Sequence, residues 1–513
     1  MWSERAARGL ALIAALALAP LPAGAQPAEG APLSAIEWLE RQGADAPRPG
    51  AAPVADSAGV PEVRVRPLRE GPAADAVGLL PPSVTGFPQT LWSESRAGDL
   101  VRLVGAQRVS GQPAMQDLLY ALLLAEALPP AGAGPEARLL RARLDKLADL
   151  GAVAPAEALV ARAGPATPAL FARWFDLSLL LGDPSGPCAA LAARPDLSAD
   201  LAPRVFCLAR GGDWAAAAST LDAARALGAI GEPMGDLLAR FLDPSAAKGP
   251  DLPPSPDPAT LEVRLREAVG APLPVSALAR RFAVMALEGD AGWRAQIAAA
   301  ERLARVGTVS ENRLLGIYTA RAPAASGGLW DRVAAVQAVD AALAAGDAEA
   351  AGRALLNAWP LMREAGLGAP FARLFGARLA ALPLNGPARD TAFDVALNAP
   401  DYERLVRGFT PQDPRARFLA ALAAGTPGQA AAPDARAEAV ARGFAGAPPP
   451  RLARMIAEKR LGEAILAAMR LYDAGRAGNL PDLADALATF RAVGLEDIAR
   501  RAGLEALRAE PGR

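Results

Sequence analysis

The chain has 513 residues, with no histidine, two cysteines and nearly balanced charge: 54 lysines and arginines against 55 aspartates and glutamates. Without histidine, neither a Ser-His-Asp or Cys-His nucleophile pair nor a histidine-ligated metal site can be built, and two cysteines cannot hold a four-thiolate zinc or an iron–sulfur cluster. The balanced charge gives no basic footprint for nucleic acid. We therefore expect no cofactor, no metal site and no nucleic-acid partner, and no catalytic residue can be named.

Residues 1–25 are typical of a Sec signal peptide. Arg5 and Arg8 precede a short apolar run, and an A-x-A cleavage site ends at Ala25. The apolar run is shorter than the roughly 20 residues that a membrane-spanning helix needs. We predict cleavage after Ala25 and a periplasmic or secreted mature protein with no transmembrane segment.

Residues 26–95 are predicted to form an extended, largely non-helical arm that is rich in proline and apolar residues. Near its start, Ser34 and Glu37 have the spacing of a helix capping box. Further on, valine alternates with arginine at 63–66, which suggests an edge strand or an extended stretch.

The arm ends in the segment 76–92, "AVGLLPPSVTGFPQTLW". Its glycines and prolines prevent a regular helix and disfavour a central strand. The segment nevertheless carries seven large apolar side chains, which are candidates for docking: Val77, Leu79, Leu80, Val84, Phe87, Leu91 and Trp92. Two roles are open. The segment covers the apolar end of the helices that follow, or it docks on a partner protein and folds on binding.

From about residue 97 onward, apolar residues recur with helical period, and alanine, the strongest helix former, fills many other positions. We predict an all-α body, an irregular α-solenoid of helix-turn-helix units similar to tetratricopeptide repeats. Composition divides this body into an N-terminal helical-repeat region at 96–242, a proline-rich linker at 243–258, a central helical-repeat region at 259–424 and a C-terminal helical-repeat region at 436–513.

Five joints with a glycine followed by aspartate or asparagine separate predicted helices, at 181–184, 211–214, 288–293, 345–350 and 477–482. We expect the glycine to end one helix in the left-handed conformation and the Asp or Asn to cap the next. The joints have no strict spacing, so the units are degenerate copies and not a consensus array.

The two cysteines are predicted to form a structural disulfide. Cys188 and Cys207 fall on predicted helices at 187–194 and 198–210, with Ser198 as an N-cap. In an antiparallel hairpin their offset is less than one helical turn. In an oxidising compartment such a bond would contribute about 3 kcal/mol; two buried free thiols are the alternative.

Segments of this sequence resemble two kinds of known protein. The joints and Ala-rich helix pairs loosely resemble tetratricopeptide-type repeats, although the W-x2-L-G-x2-Y pattern is absent. The stretches at 75–92 and 483–508 are similar to a family of exported alphaproteobacterial helical proteins sometimes labelled "antifreeze glycopeptide polyprotein". This resemblance implies a signal peptide and a helical body, and no established activity.

The leading hypothesis is a non-enzymatic periplasmic scaffold or assembly protein that binds another, unidentified envelope protein. One alternative is a carboxylate-dependent enzyme acting on cell-wall glycan, because Asp and Glu suffice for glycoside cleavage without histidine. Another is capture of a small exported ligand in the solenoid groove.

Overall fold

The computed structural model describes residues 73–243, 253 and 255–508. All regular secondary structure in these residues is helical, and only two isolated β-bridges occur among them. The predicted all-α class is therefore confirmed. None of the described helices is long and apolar enough to cross a bilayer.

Several predictions fall outside the described residues. They are the signal peptide at 1–25, the capping box of Ser34 with Glu37, and the extended stretch at 63–66. Most of the linker at 243–258 is also outside. Of the predicted arm, only residues 73–95 are described.

The described helices are numbered in chain order. Those before the linker are Pro82–Thr85 (α1), Ala97–Gly105 (α2), Pro113–Leu124 (α3), Arg138–Leu150 (α4), Val153–Ala163 (α5), Pro168–Leu181 (α6), Ser185–Ala193 (α7), Leu201–Arg210 (α8), Trp214–Ala226 (α9) and Glu232–Leu242 (α10). Those after it are Thr260–Ala268 (α11), Met285–Glu288 (α12), Trp293–Ala304 (α13), Glu311–Thr319 (α14), Leu329–Ala345 (α15), Ala348–Glu364 (α16), Gly368–Ala380 (α17), Gly386–Ala396 (α18), Tyr402–Val406 (α19), Pro414–Ala423 (α20), Ala435–Ala445 (α21), Pro450–Ala457 (α22), Leu461–Arg476 (α23), Leu480–Ala492 (α24) and Glu496–Arg508 (α25). Short 3-10 turns lie between some of them, at Ala74–Ala76, Pro195–Leu197, Val275–Ala277, Arg280–Val284 and Pro427–Gln429.

Three of the five predicted joints cap their helices as expected. The side chains of Asp213, Asp347 and Asn479 accept hydrogen bonds from backbone N–H groups in the first turns of α9, α16 and α24. Each follows a glycine with positive φ. These local rules therefore place real helix boundaries.

The other two joints differ from the prediction. In the first, Gly182 ends α6 in the left-handed conformation, but Asp183 lies one residue ahead of the N-cap and accepts the Ser185 N–H. In the third, the expected aspartate cap is wrong, because Gly292 is the N-cap of α13 and no side chain caps that helix.

The cysteines join two adjacent helices. Cys188 on α7 and Cys207 on α8 form a disulfide, with their Cα atoms 5.2 Å apart. The predicted pairing is confirmed, but the predicted N-cap is wrong. Asp200 caps α8 by accepting the Ala202 N–H, while the Ser198 hydroxyl donates to the carbonyl of Asp200.

The body has two apolar clusters. The smaller contains side chains of α6 to α11, including those around the disulfide. The larger extends from Val77 to Leu507 and so includes residues near both ends of the described chain. It includes α3, which carries the longest apolar run of the described residues, 118–125, and is buried on nearly all sides. Such a helix belongs in the interior.

Helices from the N-terminal and C-terminal parts of the described chain contact one another. The Gln107 side chain, just after α2, donates to the carbonyl of Leu466 on α23 at 3.0 Å. The backbone N–H of Ala114 on α3 donates to Glu505 Oε1 on α25 at 2.7 Å. In a simple linear array each repeat contacts only its neighbours; here the N-terminal helices pack against the C-terminal ones.

Candidate functional site

The apolar segment 76–92 lies against the helical body. Of its seven candidate docking residues, Leu91 and Trp92 are fully buried and Val77 and Phe87 are nearly so. Leu79 and Leu80 are partly buried. Val84 alone among the seven is well exposed, at 67%.

The N-terminal end of this segment is held by a buried arginine. Arg143 on α4 is 1% exposed, and its guanidinium donates to the carbonyls of Leu123, Val77 and Ala125 at 2.7, 2.8 and 3.0 Å. Burial lowers the pKa of Arg143 to about 10, against the opposing effect of Asp75. One arginine therefore satisfies three carbonyls and ties the segment to α4.

The C-terminal end of the segment contacts the C-terminal helical region. The Gly462 N–H on α23 donates to the carbonyl of Leu91 at 3.0 Å, and the Trp92 ring occupies the space where a Cβ of Gly462 would be. Segment 76–92 therefore contacts both α4 and α23, and not only the helices that directly follow it.

A second feature is a pair of adjoining cavities, which we call the arginine groove. The polar lobe has a volume of about 580 Å³ and the aromatic lobe about 930 Å³. Arg363 at the end of α16 and Arg508 at the end of α25 line both. The groove lies where α16, α17, α18 and α20 approach the C-terminal helix.

Four guanidiniums and two carboxyl groups line the polar lobe. The ionisable side chains are Arg305, Arg363, Arg476, Arg508, Glu364 and Glu505. They come from α13, α16, α23 and α25 or from the residue after a helix, so the lobe forms only because distant parts of the chain pack together. The whole chain is close to neutral, whereas this lining has an excess of arginine.

Arginines of the polar lobe are held in place by hydrogen bonds to carbonyl and carboxylate oxygens of the protein. Arg305 Nε donates to the carbonyl of Ala365 at 2.6 Å and its Nη2 to the buried Glu301 at 3.2 Å. Arg476 Nη1 donates to the carbonyl of Gly111 at 2.9 Å. Since a guanidinium has five N–H donors, these contacts fix each group and leave donors for another partner.

Arg508 is held by Asp394, which is itself hydrogen-bonded to Trp359. Its Nε donates to Asp394 Oδ1 at 2.7 Å, and the Trp359 indole donates to Asp394 Oδ2 at 2.9 Å. Burial alone would raise the pKa of Asp394, but Arg508 and these hydrogen bonds hold it below its ordinary value. Asp394 therefore stays ionised and keeps Arg508 in place.

Glu505 faces the polar lobe with one unsatisfied oxygen. Its Oε1 accepts the Ala114 N–H, but its Oε2 is buried and has no hydrogen-bond partner among the described residues. The residue as a whole is partly exposed, yet burial of the carboxyl raises its pKa to about 7, against the lowering effects of Ala114 and Arg501. At neutral pH this carboxyl is therefore partly protonated.

The aromatic lobe combines apolar and charged surface. Phe393 and Phe409 pack edge to face with ring centroids 5.5 Å apart, and the Arg389 guanidinium lies 5.1 Å from the Phe409 centroid. The other charged residues of its lining are Arg363, Arg415, Arg508, Asp390, Asp394 and Asp413. This lobe can take an apolar side chain next to charged groups.

Reasoning from the sequence did not identify the groove residues. Arginine far outnumbers lysine, which occurs only at Lys146, Lys248 and Lys459, and this excess is what a GC-rich genome would produce. No local motif marks Arg305, Arg363 or Arg508 as neighbours. Among the described residues, no group of three or more acidic or cysteine side chains is arranged to hold a metal ion.

Comparison of the chain with protein-family models, with curated proteins and with solved structures found no match in any of the three.

Proposed function

We propose that this protein is a non-enzymatic helical scaffold that acts in the bacterial envelope and binds another envelope protein through the arginine groove. The observation that carries the proposal is the groove itself. It is large enough for several side chains of a partner, and arginines and aromatic rings are enriched at protein–protein interfaces.

Export is supported by the disulfide between Cys188 and Cys207. Disulfides persist mainly in oxidising compartments such as the periplasm. The signal-peptide pattern that ends at Ala25 points to the same compartment.

A repeat-like scaffold is supported by antiparallel helix pairs joined by the predicted joints. Helices α15 and α16 are connected through Asp347, and α23 and α24 through Asn479, and each pair packs closely along its length. Short connections of this kind make helix hairpins, the unit from which helical repeats are built.

The proposal is tested by photocrosslinking in the native cells, with a photoreactive residue at Gln412 in the lining of the aromatic lobe. The matched control is Leu227, which is 81% exposed at the end of α9 and is not part of the groove lining. We expect one envelope protein to be crosslinked from Gln412 and not from Leu227. Equal patterns from both positions would refute the proposal.

One observation favours the glycan-hydrolysing alternative. Glu505 has a pKa of about 7 and borders the same lobe as Glu364, and a general acid of a glycosidase needs a raised pKa. Purified protein incubated with cell-wall sacculi tests it. Release of muropeptides that is lost in Glu505→Gln would favour the enzyme; no release would exclude this reading.

A further inference from the structure

We propose that the arginine groove recognises an acidic segment of a protein, with a side-chain carboxylate on the guanidiniums of the polar lobe and a neighbouring aromatic or large aliphatic side chain in the aromatic lobe. This inference rests on the proposed function, because it names the chemistry of the partner that the groove would bind.

The polar lobe has an excess of positive charge, with four guanidiniums against two carboxyl groups: Arg305, Arg363, Arg476 and Arg508 against Glu364 and Glu505. Arg476 is held through Nη1 by the carbonyl of Gly111, while its Nε is closed to solvent and has no hydrogen-bond partner among the described residues. A carboxylate bound in the lobe would offset this excess of positive charge.

Two arginines of the polar lobe keep donors beyond those that fix them. Among the described residues, Arg508 donates from Nε alone, to Asp394, and Arg305 donates from Nε and Nη2. Their remaining N–H groups are available on side chains whose positions are already set. Preorganised guanidiniums bind planar carboxylates well, because little side-chain freedom is lost on binding.

Glu505 lines the same lobe, and burial raises the pKa of its carboxyl to about 7. Its negative charge is therefore partly neutralised at neutral pH, which leaves the guanidinium charge of the lobe in excess for a carboxylate ligand.

The aromatic lobe supplies the second half of the recognition. It shares Arg363 and Arg508 with the polar lobe, so one ligand can reach both. The Phe393 and Phe409 rings give it an apolar surface, and Arg389 already lies over the Phe409 ring. An aromatic side chain of the partner would extend this cluster by edge-to-face packing.

The test uses calorimetric titration of the full-length mature protein with short peptides capped at both ends. Each peptide carries two adjacent aspartates and one phenylalanine, separated by a varied number of alanines. Matched peptides replace the aspartates by asparagines or the phenylalanine by alanine, and inorganic phosphate is titrated as a separate probe. Arg363→Gln removes a guanidinium shared by both lobes, and Arg353→Gln on the same helix is the control because Arg353 is outside the groove lining.

We expect at least one spacing to bind about tenfold more tightly than its asparagine counterpart, since a charge-assisted hydrogen bond is worth about that factor. Arg363→Gln should abolish the difference and Arg353→Gln should preserve it, with unchanged circular dichroism in both variants. The phenylalanine-to-alanine peptide should bind more weakly.

Several outcomes would overturn the inference. Equal binding of aspartate and asparagine peptides, or no binding of any peptide, would refute it. Phosphate that binds as tightly as the best peptide would make the lobe a general anion site. A partner crosslinked from Gln412 together with any of these results would leave the proposed function intact and remove only the acidic-segment chemistry.

Discussion

Substituting Gly462 by alanine tests how the N-terminal segment is joined to the C-terminal helices. A Cβ at this position would lie 2.2 Å from Cζ3 of Trp92 and 2.9 Å from the carbonyl oxygen of Leu91. Both distances are shorter than any real contact. The Trp92 ring is 1% exposed, so it has no adjacent space into which it can turn.

The expected cost follows from two limits. If the helix and the ring shift to accommodate the methyl group, overpacking costs about 1–3 kcal/mol. If Trp92 is expelled, the loss approaches that of deleting a buried tryptophan, about 3–5 kcal/mol. Gly462→Ala should therefore lower the free energy of unfolding by at least about 1 kcal/mol.

A matched control, Gly316→Ala, is expected to change stability in the opposite direction. Gly316 is inside α14, and a Cβ there would meet nothing within 4 Å. Because glycine is a poor residue for a helix interior, Gly316→Ala should stabilise the protein by about 0.5–1 kcal/mol. Urea unfolding monitored by circular dichroism measures both variants.

Hydrogen exchange at the Gly462 amide, which is bonded to the Leu91 carbonyl, reports the local contact. Exchange should be faster in Trp92→Ala than in the wild type. In the Trp92→Ala background, Gly462→Ala should cost much less than in the wild type, because the ring it would strike is gone. If Gly462→Ala behaves like Gly316→Ala, the packing of the segment on α23 is not as described.

Three further predictions concern buried polar groups and the disulfide. Folding raises the pKa of Glu505 from 4.5 to about 7, so the stability that its protonated form contributes is complete below pH 4.5 and is lost as the pH rises to about 7. This loss is about 3 kcal/mol, and Glu505→Gln should abolish it in urea midpoints measured across that pH range. Parallel pH dependences of the wild type and the variant would contradict this prediction. Replacing Cys188 and Cys207 together by alanine should lower the free energy of unfolding, measured in urea, by about 3 kcal/mol. The wild type in reductant should unfold like this variant. An unfolding midpoint that the double replacement leaves unchanged would argue against the bond. Arg143→Met leaves three carbonyls without their donor and should lower stability by at least about 1–3 kcal/mol, seen as faster proteolysis within 76–92. Wild-type cleavage rates in this variant would count against this role for Arg143.

The sequence predicted local structure well. Helical periodicity and the Gly-Asp or Gly-Asn joints gave the all-α class and three capped boundaries, and offset along two helices gave the disulfide. These features depend on residues a few positions apart. The predicted caps failed at α7, α8 and α13, where the N-caps are Pro184, Asp200 and Gly292, and of these only Asp200 caps with its side chain.

Long-range packing could not be predicted in the same way. Periodicity shows that α3 is largely apolar and belongs in the interior, but it does not show that α25 and the residues after α13 cover it. The partner helices are hundreds of residues away in sequence. Their pairing depends on shape and on single contacts, such as the missing side chain of Gly462.

The groove could not be predicted from the sequence either, because it also depends on long-range packing. Its arginines lie on different helices, and each is an ordinary arginine in its own local sequence. Their common feature, anchoring by a carbonyl or carboxylate behind the guanidinium, exists only in the folded chain.

The central claim is that the arginine groove binds another protein. The most direct test compares the proteins retrieved from native cells by the tagged wild type and by two tagged variants. Ala416→Trp adds a large side chain to the lining of the aromatic lobe. Ala424→Trp adds the same side chain at the exposed C-cap of the same helix. We predict that a specific envelope protein is retrieved by the wild type and by Ala424→Trp and is lost with Ala416→Trp, while all three proteins melt at similar temperatures. The same partners in all three samples, or no specific partner with the wild type, would contradict the claim.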